Sequence, residues 1–371
     1  MSKPVREQEL KVAVIVTEYR HNSHADVILG RLLGEFDYTP QLKVASLYTD
    51  QVPSNDMSRE KAEKYGIPIF PTIAEAIAIG QEKDRIDGVV IIGEHGDYPE
   101  NEKRQKMYPR RRLLEEVLQA LDRLNLCIPV FSDKHLAYDM SDALWMYEQL
   151  KQRGIPFMGG SSVPLADTVP PFQVETARSA REILVVSFSS SIEAYGFHGM
   201  EVLQRIAEQR IGGEQGVASI QAMEGAAVWE AMDRGEWPED LLFEALSTMP
   251  DLVPGHPRDQ VADPVLLSIE YRDGTKGYVI QLQNYVNQWL SAFRCQDGQI
   301  SSSRWITQTS RPFNHFERLT QYVERLIVSR QSPVPIERTL MTTGLIDLGM
   351  ESLYKQARIN TPELHISYQP L

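Results

Sequence analysis

Lys11-Val12-Ala13-Val14-Ile15-Val16 is an almost unbroken apolar, β-branched run. A polar loop follows it, Thr17-Glu18-Tyr19-Arg20-His21-Asn22-Ser23-His24, and then residues 26–33 carry helical periodicity. A short run without polar alternation suits a strand buried on both faces, which is a parallel-sheet environment. The strand, loop, helix unit recurs at residues 42–47 with 58–65 and at 88–92 with 111–124. It recurs again where 128–131 leads into 141–153. Such alternation predicts an α/β domain of Rossmann type, with ligands bound beyond the carboxyl ends of the strands.

Past Gly154 to Gly160 the composition turns to a proline-bearing connector over residues 163–172. Strand candidates follow at 182–188 and 217–223, then at 266–271 and 277–282, a pair joined by Arg272-Asp273-Gly274-Thr275-Lys276. Amphipathic helices at 316–326 and 340–357 flank Ser332-Pro333-Val334-Pro335. The expected organisation is a Rossmann-type domain over residues 1–160 and an α+β domain over 161–371. The second should be built on a mainly antiparallel sheet.

The chain has 371 residues, 42% hydrophobic and 24% charged, in the range of globular proteins. Its net charge of -13 supplies no broad basic surface, which argues against nucleic acid and anionic lipid as partners. Cys127 and Cys295 suit neither a disulfide framework nor a metal knuckle, so a reducing, cytoplasmic setting is expected. Residues 1–11 are polar, no export signal is read there, and no apolar run reaches the roughly 20 residues of a membrane span.

The strand-end loops concentrate ligand-type groups: Glu94-His95-Gly96-Asp97-Tyr98-Pro99 and Ser132-Asp133-Lys134-His135. Glu94, His95, Asp133 and His135, with His21 and His24 nearby, could assemble a divalent metal site for zinc, manganese or iron. Taken singly, each histidine is equally explained as a helix cap or a contact to substrate hydroxyls. Arg110-Arg111-Arg112 reads either as an anion-attracting patch or as a solvated first helical turn. Tyr19, Tyr98 and Tyr138 could stack on a sugar ring or an adenine, or simply pack.

Pro129-Val130-Phe131-Ser132-Asp133-Lys134-His135-Leu136-Ala137 is similar to a strand that ends in Glu-Lys-Pro. Ala194-Tyr195-Gly196-Phe197-His198-Gly199-Met200-Glu201 is similar to a helix carrying Asp-x-Gly-x-His-x-x-Asp. With Ser23-His24-Ala25, residues 61–69, 154–160 and 315–357, these segments resemble the Gfo/Idh/MocA family of glucose-fructose oxidoreductases and inositol dehydrogenases. The resemblance implies an oxidoreductase using NAD or NADP on a carbohydrate or polyol-like substrate. It further implies Lys134 and His198 as catalytic residues, and a homo-oligomer that associates through the second domain's sheet.

The sequence departs from that pattern in three places near one cleft. No glycine stands between Val16 and Ala25 to admit a pyrophosphate, Ala194 replaces the aspartate, and the Glu94-His95-Gly96-Asp97 cluster is additional. Thr17, Arg20, His24, Asp50 and Gly93 are therefore the cofactor-side candidates, while Glu193 and His95 join the catalytic ones. One rival reading keeps the scaffold without hydride transfer, as a metal-dependent lyase, isomerase or hydrolase. Another makes the chain a non-catalytic ligand-binding protein.

Overall fold

The computed structural model describes residues 9–80 and 85–370. Of the polar start read above as carrying no export signal, residues 1–8 lie outside the described residues. The first layer alternates as expected: β1 (Leu10–Val16), α1 (His24–Leu32), β2 (Leu42–Thr49), α2 (Ser58–Tyr65), α3 (Ile73–Ile77), β3 (Gly88–Ile92), α4 (Arg110–Arg123), β4 (Val130–Asp133), α5 (Met140–Arg153) and β5 (Phe157–Gly160). Five parallel strands stand in the order β2-β1-β3-β4-β5. Every residue of β3 and β4 is buried, which is why these segments lack polar alternation. Ser23 starts α1 at His24, earlier than hydrophobic period alone indicates, because its hydroxyl accepts from the Asp26 N–H.

The second layer comprises β6 (Thr168–Val169), α6 (Val174–Ala177), β7 (Ala180–Ser187), α7 (Ile192–Ala207), β8 (Val217–Glu224), α8 (Ala226–Asp233), α9 (Glu239–Leu246), β9 (Val265–Tyr271), β10 (Lys276–Gln281), β11 (Trp289–Cys295), β12 (Ile300–Trp305), α10 (Asn314–Ser329), α11 (Ile336–Lys355) and β13 (Ile359–Asn360). These strands form an eight-stranded sheet ordered β13-β8-β9-β10-β7-β11-β12-β6. Pairing is antiparallel except between β10 and β7.

Two features of the packing were not foreseen. Helix α10 returns to the first sheet, burying Phe316, Leu319, Val323, Leu326 and Ile327 against Val12, Val14 and Val16 of β1 and Val90 of β3. The approach is close enough that a Cβ on Gly88 would lie 2.9 Å from Ile327 Cγ1. One face of the second sheet is also packed by helices. Helices α8 and α9 bury Val228, Trp229, Leu241 and Leu242 against Leu184, Val186, Ile280 and Leu290. The opposite face packs on α7 and α11, and Gly199 lets α7 press onto β10, where a Cβ would meet Val279 Cγ1 at 2.5 Å.

Among the described residues no helix is long and apolar enough to cross a membrane. Cys127 and Cys295 are both unpaired, the first exposed and the second buried.

Candidate active site

The ends of β3, β4 and β5, the start of α1, helix α7 and the segment entering α10 converge on a cavity of about 340 Å³. Lys134 follows β4 in the left-handed region, φ 68°, and His95 follows β3 with φ 74°. Non-glycine residues held there cost of order 1–3 kcal/mol each and are retained where surrounding contacts fix them. For Lys134 those contacts are a reciprocal backbone pair with Gly160, at 3.2 and 3.0 Å. The turn delivers the lysine Nζ to 2.5 Å from His198 Nε2 on α7. His95 likewise lines the cavity, with His24, Tyr195, Trp289 and His315.

Burial and neighbouring charges set the states of His198 and of Glu94 beside it. Burial alone would raise the Glu94 carboxyl, but Lys134 and then Arg110 hold it well below the usual carboxylate range. The Glu94 anion lies 3.6 Å from Lys134 Nζ and is bonded by the fully buried Arg110. Burial first, and Lys134 second, press the His198 imidazole well below its ordinary value, so it is neutral. With Nε2 accepting from the Lys134 ammonium, Nδ1 carries the ring proton and donates to Ser161 Oγ at 2.5 Å. Ser161 also accepts from Val163 N, and its own N–H donates to Glu201, which accepts from Thr342 Oγ1 at 2.5 Å.

His24, beside them, donates to Asp133 through Nδ1 at 2.5 Å, and its ring meets that of His95 edge-on at 5.1 Å. Burial, then His24, pulls His95 and His315 each down to about 3, and each keeps a buried Nδ1 without a protein partner. This gives a pH prediction. The folded histidines refuse protons that the unfolded chain accepts below its ordinary value of 6.5. Stability is therefore full above about 6.5 and is lost as the pH falls from there toward 3. Melting temperature recorded against pH should begin to drop between pH 6.5 and 5, above the carboxylate range, and a flat profile in that interval would refute the assignment.

The remaining candidates take other places. Thr17 Oγ1 donates to the Glu94 carbonyl at 2.8 Å, joining the ends of β1 and β3. Arg20 pairs with Glu18 at 2.6 Å. Gly93 gives room to Arg110, whose Cγ would be 2.9 Å from a Cβ there. Asp50 is held on both oxygens: Tyr48 and Arg112 bond Oδ1 at 2.7 and 2.6 Å, and Tyr98 bonds Oδ2 at 2.7 Å. Glu193 accepts from Lys106 N at 2.8 Å and lies 3.5 Å from His135, outside the cavity lining.

Glu94, His95, Asp133 and His135 do not form the metal shell considered from sequence. Cations already neutralise Glu94, Asp133 faces His24, and His135 sits between Arg110 at 3.1 Å and Glu193. Among the described residues no group of three or more histidine, cysteine, aspartate and glutamate side chains gathers as ligands. The arginine run is a solvated turn only in part. Arg110 is buried, Arg111 lies 3.9 Å from the Trp145 ring centroid and pairs with Asp142, and Arg112 pairs with Asp50 and Glu116.

A nicotinamide dinucleotide, implied by the family resemblance, does not fit the strand ends as they stand. At the start of α1, where its pyrophosphate would bind, the fully buried Asp26 accepts from Asn22 N at 2.9 Å and from Arg311 Nη1 at 2.5 Å. Tyr19 fills the loop as a fully buried core residue, and Met57 N bonds its carbonyl at 2.7 Å. On the adenosine side both oxygens of Asp50 already accept from Tyr48, Arg112 and Tyr98. Gln51 adds two bonds to the Asp97 backbone, at 2.8 and 3.0 Å, across the gap between the β2 and β3 ends.

No protein-family model matches the sequence, and no curated protein matches it. Solved structures match the fold. A probable dehydrogenase from Thermotoga maritima is 14% identical over 96% of this chain and 100% of its own, with TM-score 0.59. Scyllo-inositol dehydrogenase from Lactobacillus casei with bound NAD(H) and scyllo-inositol is 12% identical over 95% and 99%, with TM-score 0.60. Myo-inositol 2-dehydrogenase from Lactobacillus plantarum is 11% identical over 95% and 99%, with TM-score 0.61. Nearly the whole chain therefore adopts the two-domain Gfo/Idh/MocA fold of these dehydrogenases.

Proposed function

We propose that the chain is a divergent Gfo/Idh/MocA-family enzyme that acts on a carbohydrate or polyol-like small molecule by moving a substrate proton through Lys134 and His198. The observation that carries this is the buried 2.5 Å contact between Lys134 Nζ and His198 Nε2 beside the cavity. A substrate oxygen entering there takes over the hydrogen bond that the ammonium gives to Nε2, which frees the neutral Nε2 to take a proton. Glu94 keeps the lysine in place by charge, and Ser161 fixes the imidazole tautomer. Tyr195 and Trp289, stacked with centroids 5.7 Å apart, offer a flat wall suited to the C–H face of a sugar ring. His95 and His315 line the same cavity.

Two forms of the reaction are open to this machinery. The names of the fold-mates support an oxidoreductase, in which the carbon bearing the hydroxyl is oxidised as its proton leaves, with NAD or NADP as the family's cofactor. The form without hydride transfer is favoured by the side chains that fill the dinucleotide's place. The test is product detection by NMR from inositols, aldoses and their ketones, each incubated with and without added dinucleotide. Product from any of them supports enzyme action. Turnover unaffected by replacing both Lys134 and His198 would remove the pair from the reaction.

A further inference from the structure

We infer that this chain has converted the dinucleotide's place into a structural joint and runs a redox-neutral proton shift without a nicotinamide cofactor. The inference rests on the proton-transfer reading above and goes beyond it by deciding the reaction class.

The pyrophosphate end is not merely short of glycine. A helix N-terminus attracts an anion through its free N–H groups and its dipole. Here the chain places its own groups: Ser23 Oγ accepts from the Asp26 N–H, and the Asp26 carboxylate stands in the first turn, where Oδ2 accepts from the Asn22 N–H. Its counter-ion, Arg311, comes from the segment that leads into α10, so the ion pair ties the two layers together. Arg311 also lies 4.4 Å from the Phe36 ring centroid and donates to Asn22 Oδ1 at 3.1 Å. A pyrophosphate would have to approach a fully buried carboxylate or strip its cation, and an unpaired buried charge is strongly unfavourable. At the other end Arg112 and Tyr98 already bond the two oxygens of Asp50, so a ribose there would compete with contacts the chain makes itself.

Without a hydride acceptor, every electron stays with the substrate. For an α-hydroxy ketone, His198 Nε2 takes the proton from the carbon beside the carbonyl. The C–H electron pair forms the C=C bond of an enediolate, and the carbonyl oxygen takes the negative charge beside the Lys134 ammonium. Return of the proton from His198 to the neighbouring carbon, while the Lys134 ammonium gives a proton to the former carbonyl oxygen and takes one from the adjacent hydroxyl as that becomes the new carbonyl, yields the isomer and restores both residues.

The test has two arms. Calorimetric titration of the wild-type protein with NAD+, NADH, NADP+ and NADPH should show no binding up to millimolar concentration, whereas one-site binding in the micromolar range overturns the inference. In D2O without dinucleotide, a keto-inositol and fructose serve as probes. The wild type should place solvent deuterium beside the carbonyl of at least one, and His198→Ala and Lys134→Ala should lose that exchange. Absence of exchange from both probes overturns the redox-neutral step. Micromolar dinucleotide binding accompanied by oxidation that still needs Lys134 and His198 would overturn this inference while leaving the proton-transfer reading intact.

Discussion

Replacing Lys134 with alanine should lower kcat by roughly 10³-fold or more, because in the proposed reaction it removes the ammonium that contacts His198 and would bond the substrate oxygen. The folded state should survive. Glu94 keeps Arg110 as its buried partner, so the expected stability loss is only about 1–2 kcal/mol. The contrast between a collapsed rate and a nearly preserved melting curve is the signature of a group at the reacting atoms. Equal losses in both would make Lys134 a structural residue, and an unchanged rate would remove it from the mechanism.

Arg110→Ala should have the opposite profile. Arg110 is 1% exposed, bonds Glu94 and His135, and sits 4.8 Å from the Tyr108 ring centroid. Its removal takes away the cation hydrogen-bonded to Glu94, leaving only Lys134 at 3.6 Å, and empties a buried site beside His135 and Tyr108, a change expected to cost about 3–5 kcal/mol. Denaturant unfolding checks the loss directly. Adding Glu94→Gln should recover part of it, since the second change removes the charge whose hydrogen-bonded cation the first took away. A double variant as unstable as the sum of the single ones would show that Arg110 acts by packing alone.

The parallel layer was legible because its strands are buried on both faces, which leaves continuous apolar runs such as residues 88–92. The second layer was less so. β12 reads Ile300-Ser301-Ser302-Ser303-Arg304-Trp305, and its serines conceal a strand whose place is set by pairing with β11. Lys134 and His198 were found through the resemblance of two short segments, and the structure brings them into contact. His315, Ser161 and Arg110 were not identified as site residues. Their roles come from distant partners: His315 enters the cavity only because α10 crosses to the other layer, and a buried arginine in a basic run looks like its exposed neighbours. Asp50 and Gly93 stand at the expected strand ends, but side-chain contacts that no spacing rule encodes have claimed them.

The return of α10 has a consequence for how the protein is made. Residues 12–16 finish burying their apolar side chains only when residues 316–327 arrive. Domains commonly fold in the order in which they leave the ribosome. Here the earliest strand must wait for almost the entire chain, exposing an oily surface throughout synthesis. A fragment cut after residue 160 would carry that surface permanently and should be prone to aggregation.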